Sequence, residues 1–295
     1  MKKRKKSGHI ARTRGEQIGY AIIMLVLGLF AFSTIYPVWH VVMYSISDSK
    51  LSMSGGFFFW PRGFSLKSYK MVFQTSQIWI AYRNSILVTF VGTVMSVGLS
   101  AITAYPLSRK RLHGRNFLSM VVFFTMLFSG GMIPLYLQVA RLGLLDTFWS
   151  MILPTCMSAY NMFILRNFMQ GVPDSLEESA KLDGANAWTI LWRIMAPLVK
   201  PTVAVITLYY AVSHWNSWFN AMLFLRDKTK YPLQLILRQI LIQNDTADMT
   251  AGADYLVSET IQYATVIVAT LPILCIYPFV QKYFVKGVMI GAIKG

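Results

Sequence analysis

Six stretches of this sequence run for about twenty residues or more without a single Asp, Glu, Lys or Arg: residues 18–45, 85–107, 117–139, 148–165, 201–225 and 261–281. That is the length a helix needs to cross a bilayer. Hydrocarbon offers no partner to a backbone amide, so a single apolar segment can cross only as a helix. The spacing predicts an all-α chain, a polytopic membrane helix bundle with six transmembrane helices. Charged residues make up only 14% of the chain and hydrophobic ones 55%, against about 25% charged in soluble domains. A soluble domain and a disordered chain are both excluded on these grounds.

The net charge of +16 would suggest nucleic acid in a soluble protein. Here Lys and Arg gather between the apolar runs, where they set topology. Membrane lipid is the expected surrounding, and no nucleic-acid partner is expected. Basic residues precede the first run (Lys2 to Arg14), separate the second from the third (Arg109, Lys110, Arg111, Arg115) and separate the fourth from the fifth (Arg166, Lys181, Arg193, Lys200). More follow the sixth (Lys282, Lys286, Lys294). Placing these inside makes both termini cytoplasmic in a multi-pass membrane protein. The expected organisation is a basic tail over residues 1–17, a membrane domain over 18–281 and a short tail over 282–295. The N-terminal run is too long for a cleavable signal peptide and lacks an A-x-A site. Two long loops, 46–84 and 226–260, fall outside. The second has an amphipathic piece at 233–242, which either caps the bundle or docks an external partner.

Nothing in the sequence points to covalent chemistry. No Gly-Lys dipeptide occurs, so a phosphate-cradling loop is absent, as are H-E-x-x-H and G-x-S-x-G. Cys156 and Cys275 lie inside apolar runs, where they suit a core rather than a metal or disulfide. Only two histidines, His40 and His214, fall within spans. An ion-coupled carrier of a small polar solute usually keeps an ionisable group inside the membrane, and these spans hold no carboxylate. Uphill transport would then draw its energy from another subunit.

The segment between the fourth and fifth runs is polar and patterned. Pro173 and Asp174 break the chain, and Ser175 with Glu178 forms an S-x-x-E capping box, with Asp174 and Glu177 as another register. Gly184 supplies a left-handed stop. A second helix starts near Asn186 and bends near Pro197. The result is a helix-turn-helix elbow over residues 174–197. Glu178, Ala180, Gly184, Ile194 and Pro197 fall in register with E-A-A-x3-G-x9-I-x-L-P, while Ser179 and Ala196 depart from it. This segment resembles the EAA loop of ABC importer permeases. The run Ala180-Lys181-Leu182-Asp183-Gly184-Ala185 is similar to the carbohydrate-uptake branch, as in the second permease of maltose-type importers. The tail from Phe284 to Gly295 resembles the F-x-x-G-x-x-x-G-A-x-K-G ending of such sugar permeases, in its oligosaccharide and polysaccharide subgroup.

The resemblance implies that the elbow is a coupling helix seated in a cleft of an ATP-hydrolysing subunit. Glu178, Ser179, Ala180, Asp183 and Gly184 would form the coupling contact. Glu178 would pair with a basic residue of the ATPase or cap its own helix. The implied partners are a second homologous permease, two ATPase subunits, an extracytoplasmic solute-binding protein and a carbohydrate solute. The resemblance implies no cofactor in this chain, ATP and Mg belonging to the ATPase. In the fifth run, helical spacing puts Tyr209, Ser213, Asn216, Ser217 and Asn220 on one face and Trp215, Trp218, Phe219 and Met222 on another. Sugars offer hydroxyls to amides and C–H faces to rings, so Tyr209, Ser213, Trp215, Asn216, Trp218 and Asn220 are candidates for the solute pathway. Tyr160 and Asn161 join them from the fourth run. Helix packing is the competing use of such residues.

Overall fold

The computed structural model describes residues 14–52, 56–243 and 259–275. The regular structure in these residues is helical, with one isolated bridge between Ser47 and Phe64. In order, the helices are α1 (Arg14–Ser45), α2 (Ser49–Ser52), α3 (Lys67–Gln74), α4 (Ser76–Ser108), α5 (Arg115–Leu127), α6 (Met132–Arg141) and α7 (Trp149–Ile152). They continue as α8 (Ala159–Gln170), α9 (Asp174–Leu182), α10 (Ala187–Leu198), α11 (Lys200–Trp215), α12 (Trp218–Phe224), α13 (Leu233–Gln243) and α14 (Glu259–Cys275). Residues 1–13 of the basic N-terminal tail, the acidic positions 245, 248 and 254, the end of the sixth apolar run and the C-terminal tail lie outside the described residues, while residues 14–17 already belong to α1.

α4 is the mast of the bundle, and its buried face explains why. Ala81, Ser85, Val88, Gly92, Ser96, Ser100, Ala104 and Ser108 recur at helical spacing along it. Small residues let a second helix approach closely, which in lipid replaces the hydrophobic drive that water would supply. α8 and α11 pack along this face. At the closest approach, a Cβ on Gly92 would lie 2.8 Å from the imidazole of His214. Hydroxyls stitch the same seam: Ser96 Oγ meets His214 Nε2 at 3.0 Å, and Ser100 Oγ meets the Tyr210 hydroxyl at 2.6 Å. That hydroxyl also accepts from the Ser158 amide at 3.0 Å. By contrast, α1 is apolar and exposed along most of its length, as a lipid-facing helix should be.

The apolar runs are less continuous than their sequences suggest. Among the described residues only α1 and α4 are long and apolar enough to span a membrane unbroken, and two bent pairs would add one span each. The third run breaks between α5 and α6 with a turn of 113°. Gly130 and Gly131 sit at that break, Gly131 in the left-handed half of φ space (φ 86°), and Pro134 falls in the first turn of the next helix, where its missing amide proton leaves no bond unmade. The fourth run divides into α7 and α8 around Pro154, and Ser158 caps α8 by accepting from the Asn161 amide. The fifth run ends its first helix at Asn216 and restarts at Trp218. The amphipathic piece of the second long loop is α13. Its Leu233, Leu235, Ile236 and Ile240 are buried, and it packs on α4, so it caps the bundle.

Candidate functional site

The elbow forms, though its start differs from the capping box. α9 begins at Asp174, behind Pro173, and no side chain caps it. Ser175 therefore falls inside the first turn rather than at the cap. At its other end the geometry is a Schellman stop. The Ala185 amide donates to the Ala180 carbonyl at 2.9 Å, the Gly184 amide donates to the Lys181 carbonyl at 3.0 Å, and Gly184 takes φ 83°. Asn186 then caps α10, its side chain accepting from the Thr189 amide at 2.8 Å. The middle of α10, Ile190–Met195, is wound as a π-helix. α10 meets α11 at 90°, just past Pro197.

What fixes the elbow to the bundle is Arg109, one residue beyond the end of α4. Its guanidinium lies 2.8 Å from Asp174 and 3.0 Å from Glu177. It also donates to the Met169 carbonyl at 3.2 Å and lies over the Tyr105 ring. Side chains of Arg109 and Glu177 are only 10% and 11% exposed, and Lys181 closes the other side of Glu177 at 2.6 Å. One guanidinium thus ties together the ends of α4 and α8 and the first turn of α9. Sequence reading treats Arg109 only as a topogenic charge. The available signal was the pair Asp174 and Glu177, three residues apart on one helical face and matched to a single planar donor fork.

The candidate coupling residues divide by exposure. Ala180 is buried in the core beneath α9, whereas Glu178, Ser179, Asp183 and Gly184 face outward. The Glu178 carboxylate pairs with Arg111 across an exposed surface. Leu182 is 90% exposed and Trp188 59%, an apolar tip on an otherwise polar knuckle. Arg109, Arg111, Glu177, Glu178 and Lys181 also line a cleft of about 250 Å³ between the elbow and the foot of α4.

Within the bundle, Asn161 from α8 and Tyr209, Ser213 and Trp215 from α11 share the wall of a cavity of about 580 Å³. Thr89 of α4 and Pro272 and Ile273 of α14 complete it. Among the described residues, Thr89 Oγ1 and Trp215 Nε1 are buried without a hydrogen-bond partner. Four other candidates lie off this wall. Because the helix stops at Asn216, the single polar stripe is interrupted. Asn216 bonds back to the Val212 carbonyl, Trp218 lies under the Arg238 guanidinium, Asn220 is half-buried on α12 and Tyr160 is exposed.

At the opposite end from the elbow, Asp146 pins two loops. It takes φ 56° and accepts from the amides of Arg226 and Asp227 and from Lys230 Nζ at 2.9 Å. The hydrogen bond from Lys230, followed by those two amides, holds its carboxyl down to about 2. Among the described residues no cluster of His, Cys, Asp and Glu is arranged to hold a metal.

The profile of the family described as "Binding-protein-dependent transport system inner membrane component" matches residues 96–290, which include the whole elbow. The polygalacturonan/rhamnogalacturonan transport system permease protein YtcP of Bacillus subtilis (strain 168) is 45% identical over 92% of this chain and 98% of its own length. Protein LplC of the same organism is 43% identical over 92% and 93%. A crystal structure of a bacterial ABC transporter involved in the import of the acidic polysaccharide alginate contains a chain that superposes with a TM-score of 0.87. It is 34% identical, over 93% of this chain and 99% of that one.

Proposed function

The chain belongs to the family of binding-protein-dependent transport system inner membrane components, the permease subunits of ABC importers, and from that premise we propose that it forms half of a pathway for a polysaccharide-derived oligosaccharide. Such a subunit is not an enzyme; it moves solute while ATP is hydrolysed elsewhere. The names of its relatives support a polymeric carbohydrate source. The observation that carries the coupling role is the elbow: a short helix hung on a buried arginine at the foot of α4, with its outer face unpaired except for the exposed Glu178–Arg111 contact.

In this reading the elbow end faces the cytoplasm, the chain crosses the membrane six times, and both tails over 1–17 and 282–295 are cytoplasmic. The membrane domain covers 18–281. Leu182 and Trp188 enter a cleft of the ATPase, Gly184 holds the knuckle in its left-handed turn, and Glu178 leaves Arg111 for a basic residue of that subunit. ATP and Mg sit in the two ATPases. A homologous permease completes the pathway, and an extracytoplasmic solute-binding protein delivers to the Asp146 end. Movement of α9 pulls on Arg109 and hence on α4, which packs on α11 through its small-residue seam, and α11 in turn carries Tyr209, Ser213 and Trp215 on the cavity wall. Asn161, Tyr209 and Ser213 on the cavity wall are the polar groups a sugar hydroxyl would meet, beside the Trp215 ring.

The test is ATP-driven uptake into proteoliposomes holding the assembled importer, with labelled oligogalacturonide, alginate oligosaccharide and maltose compared. Uptake of a uronate oligomer above maltose supports the reading. ATP-independent uptake driven by an ion gradient would reject it.

A further inference from the structure

A second cationic site lies near the elbow and has no role in the coupling just described. Arg115, the first residue of α5, and Arg166 of α8 converge on one neutral acceptor. With its amide oxygen turned toward them, Gln170 accepts from Arg115 Nη2 at 2.7 Å and from Arg166 Nη2 at 3.2 Å. The other assignment of the amide would set donors against donors. Arg166 is held in place: its Nε donates to the Leu107 carbonyl at 3.0 Å and its guanidinium lies 5.5 Å from the Phe163 ring centroid. Arg115 Nε is buried and has no partner among the described residues.

The charge here is uncompensated. Among the described residues neither arginine makes an ion pair, and the nearby carboxylates of Asp174, Glu177 and Glu178 are taken by Arg109, Lys181 and Arg111. The start of α5 adds to the positive field. Gly114 gives no side-chain cap, and no acidic residue occupies the first turn, where a helix normally attracts negative charge. Two guanidiniums held apart by a shared amide form a fork suited to phosphate oxygens.

The surroundings say which phosphate. α5 has no buried residue among its thirteen, and Phe117, Met120 and Phe124 are exposed along it. Such side chains suit acyl chains, and the arginines at the foot of α5 fall where a membrane helix meets the headgroups. We infer that Arg115 and Arg166 bind the phosphate of an anionic phospholipid, such as a phosphatidylglycerol headgroup, in the leaflet on the elbow side. This rests on the reading of that end as cytoplasmic, where anionic headgroups attract basic pockets between membrane helices.

The experiment uses the complete importer purified in mild detergent. Native mass spectrometry reads retention of phosphatidylglycerol against phosphatidylcholine for wild type, Arg115→Gln/Arg166→Gln and Arg115→Lys/Arg166→Lys. The expected result is selective retention of phosphatidylglycerol by wild type, with about thirtyfold weaker binding by the double Gln variant. That factor is roughly 2 kcal/mol for two basic groups, at tenfold per 1.4 kcal/mol. The Lys variant, which keeps the charges and checks assembly, should recover most of it. Equal retention by wild type and the Gln variant overturns the inference. Displacement by millimolar inorganic phosphate, with no preference between the two lipids, assigns the site to a soluble phosphate and overturns the lipid. Loss of the ATPase subunit from the Gln variant with lipid retention unchanged would assign the arginines to a protein carboxylate, again against the inference. ATP-driven uptake by wild type is scored separately, so failure of the transport reading leaves the lipid result legible.

Discussion

Replacing Arg109 with Met should loosen the elbow without unfolding the bundle. The substitution keeps an apolar stem but strips Glu177 of one of its two partners. Glu177 is 11% exposed, and its remaining partner, Lys181, is 47% exposed. Breaking a buried ion pair costs about 3–5 kcal/mol when the surviving charge is left alone. Here Lys181 remains, and Asp174, at 60% exposure, simply rehydrates. The cost falls to roughly 2–3 kcal/mol, confined to α9. Amide hydrogen exchange over residues 176–185 should therefore speed up about 30- to 150-fold, while α4 and α11 stay protected. Adding Glu177→Gln removes the half-paired buried charge and should recover part of the loss, giving a coupling of roughly 1–2 kcal/mol in the double-mutant cycle. In the importer, ATP hydrolysis should persist while transport per ATP falls. Exchange within about threefold of wild type, or strict additivity in the cycle, would refute the anchoring argument.

Three other substitutions probe separate parts of the molecule. Gly92→Ala drives a methyl to 2.8 Å from the His214 ring and should lower stability by about 1–3 kcal/mol. Gly98→Ala on the same helix meets nothing within 4 Å and serves as the control in thermal unfolding of the purified protein, with a gain of about 0.5–1 kcal/mol expected from the helix interior. Gly184→Ala also meets nothing within 4 Å, so its cost of about 1 kcal/mol is purely that of the left-handed backbone. It should appear as weakened binding of the ATPase, with Gly184→Asn milder. Asp146→Asn keeps a residue that tolerates its φ but removes the charge that Lys230 meets. About 1 kcal/mol is expected after allowance for screening at a one-third-exposed carboxylate. Because the folded carboxyl titrates near 2 instead of 3.8, its contribution is complete above about pH 4 and lost as pH falls toward 2. Acid unfolding of wild type and Asp146→Asn should converge in that window.

Much of the fold was written in composition. The long charge-free runs dictate membrane helices, and Gly184 with Asn186 dictates the elbow, because turn chemistry is local. The breaks were harder to see. Gly130-Gly131 and Pro154 lie in windows whose hydropathy does not register that the helix has stopped, and Asn216-Ser217 reads as part of a polar stripe until the helix is seen to end there. The seam along α4 was overlooked for a different reason: Gly92, Ser96 and Ser100 look unremarkable one at a time, and only their fourfold spacing marks a close helix contact. Arg109 was hidden among Lys110, Arg111 and Arg115, since a topology count gives every cation the same meaning. Only the position of α9 against α4 separates a buried anchor from exposed neighbours. The elbow's outward face was legible from pattern, whereas the cavity wall, which draws on α4, α8, α11 and α14, depends on distant parts of the chain.

The central claim is that this permease couples to an ATPase through residues 174–197. The most direct measurement is co-purification from membranes of the tagged wild-type chain, Glu178→Ala and Gly184→Trp, quantifying the ATPase recovered with each. The account predicts a complex with wild type and weakened recovery with both variants at equal membrane insertion. Equal recovery of the ATPase with all three chains would contradict it.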